Sequence, residues 1–356
     1  MRIPDIYVSG LGIYLPETVS VQDAIDQGLY RPDDPEDVER QGWTGTAVAG
    51  DISAPDMALR ASQEALKQWG READALDLLV YTDVWHQGPD GWQPQLYLQN
   101  HLNVGDLLAI ELRHGCNGVF SSLEMAASYL MSDQSRQAAL IVASDNFGTP
   151  LIDRWHSGPD FIAGDGAAAA VITREPGYAQ LLSVTSTAIP QAEEMHRCGE
   201  AMFPPGATLG NHVSFKQRLE AYRNKVFTEG VGMDFGITLY EKSKECVDRA
   251  LAEAGIGLGD VDRVIMTNCS REESEAQFLG VLELPLSMTT WEFTRTIGHL
   301  GAGDHLISLD HLFKTQQLAP GDRVLVVGLA PGVTYSCAVF KVLDTPYGSR
   351  ATEVSA

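Results

Sequence analysis

Apolar positions along the chain fall into two alternating rhythms. Short runs such as Leu140-Ile-Val-Ala143 and Val324-Leu-Val-Val327 are apolar at every position, as in strands covered on both faces. Between them, apolar residues recur at helical spacing. One set is Leu59, Leu66 and Trp69 with Ser62, another is Tyr240, Val247, Ala250 and Leu251 with Ser243. Strand and helix patterns that alternate in this way predict βαβ units and an α/β fold.

The pattern repeats itself. Ala75-Leu-Asp-Leu-Leu-Val-Tyr-Thr-Asp83 matches Asp260-Val-Asp-Arg-Val-Ile-Met-Thr-Asn268, 185 residues later. Ala139–Ser144 matches Arg323–Gly328 at a distance of 184, and Gly115-Cys116 matches Gly298-His299 at 183. Three nearly equal offsets in the same order predict two halves built to one plan, 1–175 and 176–343. Residues 190–232, with Pro204-Pro205-Gly206 and a helical Phe215–Val226, have no counterpart in the first half and read as an inserted cap. A short polar tail follows, 344–356.

The chain has 356 residues, of which 44% are hydrophobic and 21% charged. It can therefore bury a large core without disulfide or metal staples. Asp and Glu number 48 against 25 Lys and Arg, a net charge of −23. Such a surface repels phosphate backbones and anionic lipid, so neither nucleic acid nor membrane is expected as a partner. No apolar stretch approaches the ~18 residues of a membrane span, and the N-terminal Met1-Arg-Ile-Pro-Asp5 lacks a secretory leader pattern. The five cysteines, 116, 198, 246, 269 and 337, are odd in number and widely spaced. That usage fits free thiols in a reducing cytoplasm, and no pair has zinc-ligand spacing.

One cysteine stands apart. In Ile110-Glu-Leu-Arg-His-Gly-Cys116-Asn-Gly-Val-Phe-Ser121 a strand runs into a glycine turn, then the thiol, then a helix. A sulfur at a helix N-terminus is favoured as thiolate by the helix dipole and the free N–H groups. The arrangement is the thiol counterpart of a nucleophile elbow. The other four cysteines read as buried apolar residues.

At these residues the sequence resembles the ketoacyl-ACP synthase III family of the thiolase superfamily. The resemblance runs nearly the length of the chain. It rests on Val8-Ser-Gly-Leu-Gly-Ile-Tyr-Leu-Pro16, the segment around Cys116, Phe161-Ile-Ala-Gly-Asp-Gly-Ala-Ala-Ala-Ala-Val171 and Leu329-Ala-Pro-Gly-Val-Thr-Tyr335. It implies a thiolase-like α/β fold of two pseudo-symmetric βαβαβαββ halves in five layers (αβαβα), a homodimer, and a structural role for Gly164-Asp-Gly166. It also implies acyl-CoA or acyl carrier protein as donor, with no resident cofactor. Condensing members carry a His-Gln-Ala-Asn motif after the strand equivalent to 262–266, and a later Gly-Asn turn. Here those places hold Met266-Thr-Asn-Cys-Ser270 and Gly298-His299. The histidine has moved to the asparagine position, and Asn268 lies near the old histidine position as a substrate-binding candidate.

A thiol nucleophile with an imidazole base supports acyl transfer to an incoming hydroxyl or thiol. Asp304, five residues after His299 with Gly301 and Gly303 between, is the candidate to orient the imidazole. A Cys–His–Asp set of this kind is similar to that of an acyltransferring, non-condensing subgroup active in polyketide pathways. Some of its members acylate a sugar hydroxyl and others a carrier protein. The resemblance also implies an oxyanion hole from the N–H groups of Cys116 and Gly332, where each donor is worth ~3 kcal/mol on the transition state. A malonyl group is the favoured cargo, and its carboxylate calls for an arginine fork. Arg154 is the first candidate, with Arg113 and Arg197 behind it. Lys216, Arg218, Arg223 and Lys225 form a basic run able to meet a carrier protein. The favoured acceptor is a hydroxyl of a glycosylated polyketide. A carrier protein receiving a starter unit is the alternative, and a non-catalytic partner subunit is the rival of a different kind.

Overall fold

The apolar runs become the strands of a nine-stranded sheet. A computed structural model describes residues 1–32, 35–84, 86–230 and 235–347. Its strands are β1 (Tyr7–Tyr14), β2 (Thr18–Ser20), β3 (Gly45–Ala47), β4 (Leu78–Asp83), β5 (Leu108–Arg113), β6 (Ala138–Asp145), β7 (Gly166–Thr173), β8 (Ala179–Ala188), β9 (Arg263–Met266), β10 (Arg323–Ala330) and β11 (Thr334–Val342). The sheet order is β5-β4-β6-β7-β1-β8-β11-β10-β9, and β2 pairs only with β3.

This order is the repeat made visible. Reading outward from the centre, β1, β7, β6 and β4 match β8, β11, β10 and β9. The hand of pairing matches as well. β6–β4 and β10–β9 are parallel, whereas β1–β7, β7–β6, β8–β11 and β11–β10 are antiparallel. The two halves meet at β1 and β8 through only two residue pairs, Tyr7 with Gln180 and Val8 with Ala179.

Each strand alternates between two cores. On β6, Ala139, Ile141 and Ala143 face the central layer, and Ala138, Leu140 and Val142 face an outer one. On β10, Val324 and Val326 point to the same central layer, and Leu325 and Val327 to the opposite outer layer. The central layer is filled by the helices Gly118–Met131 and Asp304–Lys314, which pack on strands of both halves. Ala54–Trp69 covers the first half and Phe235–Ala254 the second. The expected five layers follow. Helix and strand approach closely at β1, where a side chain on Gly12 would bring its Cβ within 2.0 Å of the Ala61 carbonyl oxygen. That contact explains the glycines of the first family segment.

The halves differ at one strand. Among the described residues, nothing in the second half matches β5. The chain there forms the short helical turns Leu286–Met288 and Trp291–Thr294. Pro285 stands at the head of this segment without an N–H for a ladder, so the second half departs from the expected βαβαβαββ plan. The cap region carries a short helical stretch at Pro190–His196 and the helix Phe215–Glu229, and 231–232 lie outside the described residues. Of the tail, 348–356 also lie outside. Tyr347 hydrogen-bonds Asp310. No helix among the described residues is long and apolar enough to cross a membrane.

Candidate active site

Cys116 sits where β5 ends. The turn before it needs glycine, because Gly115 has φ +53° and an added Cβ would lie 2.9 Å from Pro331 Cδ. A tight turn over Gly115–Asn117 then feeds the central helix Gly118–Met131. The sulfur is buried, 8% exposed, and faces a cavity.

His299 comes from the second half. Its backbone is clamped from both sides. Its N–H donates to the Ile162 carbonyl at 2.8 Å, and its carbonyl accepts from the Gly164 N–H at 2.8 Å. The Phe161 ring packs on the imidazole nearly edge-on, with centroids 4.9 Å apart. His299 Nε2 lies 3.0 Å from Cys116 Sγ, and Nδ1 lies 2.6 Å from Asp304 Oδ2.

Asp304 opens the central helix Asp304–Lys314 after a single turn, Gly301–Gly303. The glycines bend the chain so that a five-residue spacing closes into a hydrogen bond. The Asp304 carboxylate is fully buried, and Oδ1 accepts from the Leu300 N–H at 2.7 Å while Oδ2 accepts from the Asn268 N–H at 2.8 Å. A fixed acceptor of this kind keeps a proton on Nδ1, so that Nε2 is the nitrogen that exchanges its proton with the sulfur. Burial disfavours charge on His299. The Asp304 carboxylate and the Cys116 sulfur outweigh it, and the imidazole titrates well above the usual histidine value.

The structure therefore joins three of the sequence candidates in one relay. Asn268 stands beside them and lines the cavity. Its Nδ2 donates to the Gly298 carbonyl at 2.8 Å, and its Oδ1 is buried without a hydrogen-bond partner. Asp145, at the end of β6, had no sequence signal. It accepts from the Val84 N–H at 2.8 Å and the Ala302 N–H at 3.1 Å, which fixes the turn that presents Asp304. Burial lifts its pKa to about 7.

Other candidates are placed differently. Arg154 does not reach the cavity as a carboxylate reader. Its guanidinium is spent on Asp165, with contacts of 2.9 and 3.1 Å, and on the Ala163 carbonyl at 3.0 Å. Asp165 in turn accepts from the N–H groups of Ala49 and Phe147, so the pair locks loops together, in line with a structural Gly164-Asp-Gly166. Arg113 lines a separate recess with His86 and Glu111. Arg197 pairs with Glu193 on the surface at 2.8 Å. In the basic run, Arg218 pairs with Glu200 at 2.6 Å and Lys225 with Glu194 at 2.7 Å, and of the four only Arg223 lines the cavity.

Gly332 is also a correction. Its N–H donates to His196 Nδ1 at 3.2 Å, so it is engaged rather than open to an oxyanion. Burial and the nearby Arg218 charge lower the His196 pKa to about 4, which keeps this ring neutral and able to accept. His196 belongs to the cap region, whose contribution to the cavity wall the sequence did not disclose.

Comparison with known proteins agrees with this architecture. Residues 110–189 match the 3-oxoacyl-[acyl-carrier-protein (ACP)] synthase III family, and 251–342 match its C-terminal family. A solved structure of ChlB3, an acyltransferase, is 51% identical, covers 97% of this chain and 100% of its own, and superposes with a TM-score of 0.91. A 3-oxoacyl-[acyl-carrier-protein] synthase III from Aquifex aeolicus shares the fold at 20% identity, with 94% and 99% coverage and a TM-score of 0.76. The β-ketoacyl-[acyl-carrier-protein] synthase III of Clostridium perfringens is 23% identical over 342 residues, 94% of this chain and 98% of its own. The chain belongs to the ketoacyl-ACP synthase III-like family of thiolase-fold enzymes. Its similarity to ChlB3 places it beside an acyltransferase of that family.

Proposed function

We propose that this enzyme is a non-condensing acyltransferase that carries its acyl group on Cys116. The observation that carries the reading is the continuous relay from Cys116 Sγ through His299 to Asp304, with contacts of 3.0 and 2.6 Å. In the first half-reaction the thiolate attacks the carbonyl carbon of an acyl-CoA or acyl-carrier thioester. The bond from that carbon to the pantetheine sulfur breaks, and the departing sulfur takes the proton held by His299. In the second, His299 Nε2 removes a proton from the acceptor, whose oxygen attacks the acyl carbon and releases Cys116 as thiolate. Asp304 holds the tautomer and balances the imidazolium. The N–H of Cys116, at the start of the central helix, is the oxyanion donor that remains from the pair expected in the sequence. The thioester itself supplies the driving force, so the reaction calls for no resident cofactor.

The state of Asn268 supports transfer over condensation. Decarboxylative condensation needs donors aimed at an enolate oxygen. One N–H of the Asn268 amide is committed to the Gly298 carbonyl, so a single N–H donor remains at the place where condensing members carry an imidazole. The acceptor substrate we favour is a hydroxyl on a glycosylated polyketide, and the assembly a cytoplasmic homodimer.

Intact mass after mixing with acyl-CoA tests the reading. We expect an adduct of one acyl group that is absent in Cys116→Ala. In His299→Ala, transfer to an acceptor is lost. A wild-type protein that forms no adduct with any thioester donor is a non-catalytic partner subunit and ends this reading.

A further inference from the structure

The cap helix Phe215–Glu229 has an unusual face. Phe215, Leu219, Tyr222 and Val226 recur at steps of four, three and four, which is one side of a helix. Such a stripe ordinarily covers a core, yet no residue of this helix is buried. All four instead line the cavity of about 670 Å³ that also holds Cys116 and His299. The facing wall includes Phe147, Phe161 and Phe278. This volume lies within the ~300–1,000 Å³ of small-molecule sites.

Charge in the same chamber is arranged against an anionic cargo. Asp160 and Glu273 belong to the lining. Among the described residues, Arg223 is the only lysine or arginine in the lining, and it is solvent-exposed. Arg154 is held by Asp165. The buried His299 is engaged by Cys116 and Asp304, and among the described residues no other buried cation lines the chamber, so a carboxylate on the acyl chain would lose its hydration without a free partner, which is costly.

We propose that the acyl group carried by Cys116 is bulky, uncharged and ring-bearing, and that the cap-helix face of Phe215, Leu219, Tyr222 and Val226 is its specificity wall. This rests on the acyl-transfer reading above and replaces the malonyl cargo favoured by the sequence. An aromatic acyl group would cover the apolar face that this helix presents to the chamber. Selection therefore resides in a part of the chain that has no counterpart in the first half.

Formation of the acyl-Cys116 adduct is followed by mass for benzoyl-CoA, acetyl-CoA and malonyl-CoA. Benzoyl loading is expected to exceed malonyl loading by about tenfold or more, the scale of discrimination in an apolar pocket. Leu219→Ala is expected to slow benzoyl loading about tenfold more than acetyl loading. Leu219→Arg, which adds a cation to the chamber, shifts the preference toward malonyl. Malonyl loading faster than benzoyl in the wild type overturns the proposal. So does an equal effect of Leu219→Ala on all three donors. If the variants alter only transfer to an octyl glucoside acceptor and leave loading intact, the wall belongs to the acceptor and the proposal also fails. Absence of any adduct with all three donors removes the transfer reading and this inference together.

Discussion

Two helices serve the same site, one from behind His299 and one as a wall of the cavity, and they are held in opposite ways. In Asp304–Lys314, the floor, nine of eleven residues are buried, from Asp304 to Phe313. In Phe215–Glu229, the roof, none is. The floor is wedged between strands of both halves and carries the acid that orients His299. The roof is tied at its outer side by Arg218 to Glu200 and Lys225 to Glu194. The difference teaches a division of labour. Proton transfer demands positions fixed to fractions of an ångström, and close packing supplies them. Choice of cargo demands a wall that can be changed at little cost to the fold.

The largest expected effect comes from breaking the floor's chemistry. Asp304→Asn keeps the size of the side chain but loses the charge that balances the imidazolium. By analogy with other acid–base–nucleophile relays, kcat is expected to fall about 10³- to 10⁴-fold, as measured by steady-state transfer. Stability sharpens the contrast next. Leu309→Ala, in the floor, is expected to cost about 2–5 kcal/mol. Val226→Ala, in the roof, is expected to stay within about 0.5 kcal/mol. Urea unfolding of the two variants decides this, and equal losses would erase the distinction between the helices.

The smallest effect concerns pH. Two histidines flank Asp304, His299 before the floor helix and His305 within it, and their linkages have opposite sign. His299 has a raised pKa, so its contribution is complete below the unfolded value near 6.5 and is lost as pH rises through the folded one. His305 is lowered to about 4, mainly by burial. It binds fewer protons folded than unfolded between those values, so its contribution is present above 6.5 and lost as pH falls toward 4. Relative to His305→Gln, the wild type should lose roughly 1.4 kcal/mol per pH unit between pH 6 and 4.5. Urea titrations of both proteins at a series of pH values measure the gap. A gap that does not widen in acid contradicts the assignment.

Much of this was legible in the chain because it depends on local pattern. The duplicated runs disclosed the two halves, and they appear in the sheet order with β1 and β8 at the centre. Cys116 was legible from the glycine turn, and His299 with Asp304 from glycines that shorten the path between them. What escaped depends on contacts distant in sequence. Nothing local tells that Arg154 will be spent on Asp165, since Asp165 is held by the N–H groups of Ala49 and Phe147 from outside the loop between them. Gly332 is engaged by His196, 136 residues earlier. The apolar spacing of 215–226 announced a helix but not the chamber its face would line. Pro285 was a readable warning that, among the described residues, the second half has no equivalent of β5.

Gly115 leans on Pro331, and Cys116 meets His299, so the contacts of the thiol's turn cross from the first half to the second. During synthesis the nucleophile leaves the ribosome long before its base and acid do. A nascent chain that ends before residue 299 holds the thiol without its imidazole partner. Reactivity arrives only when the last strands close the second half.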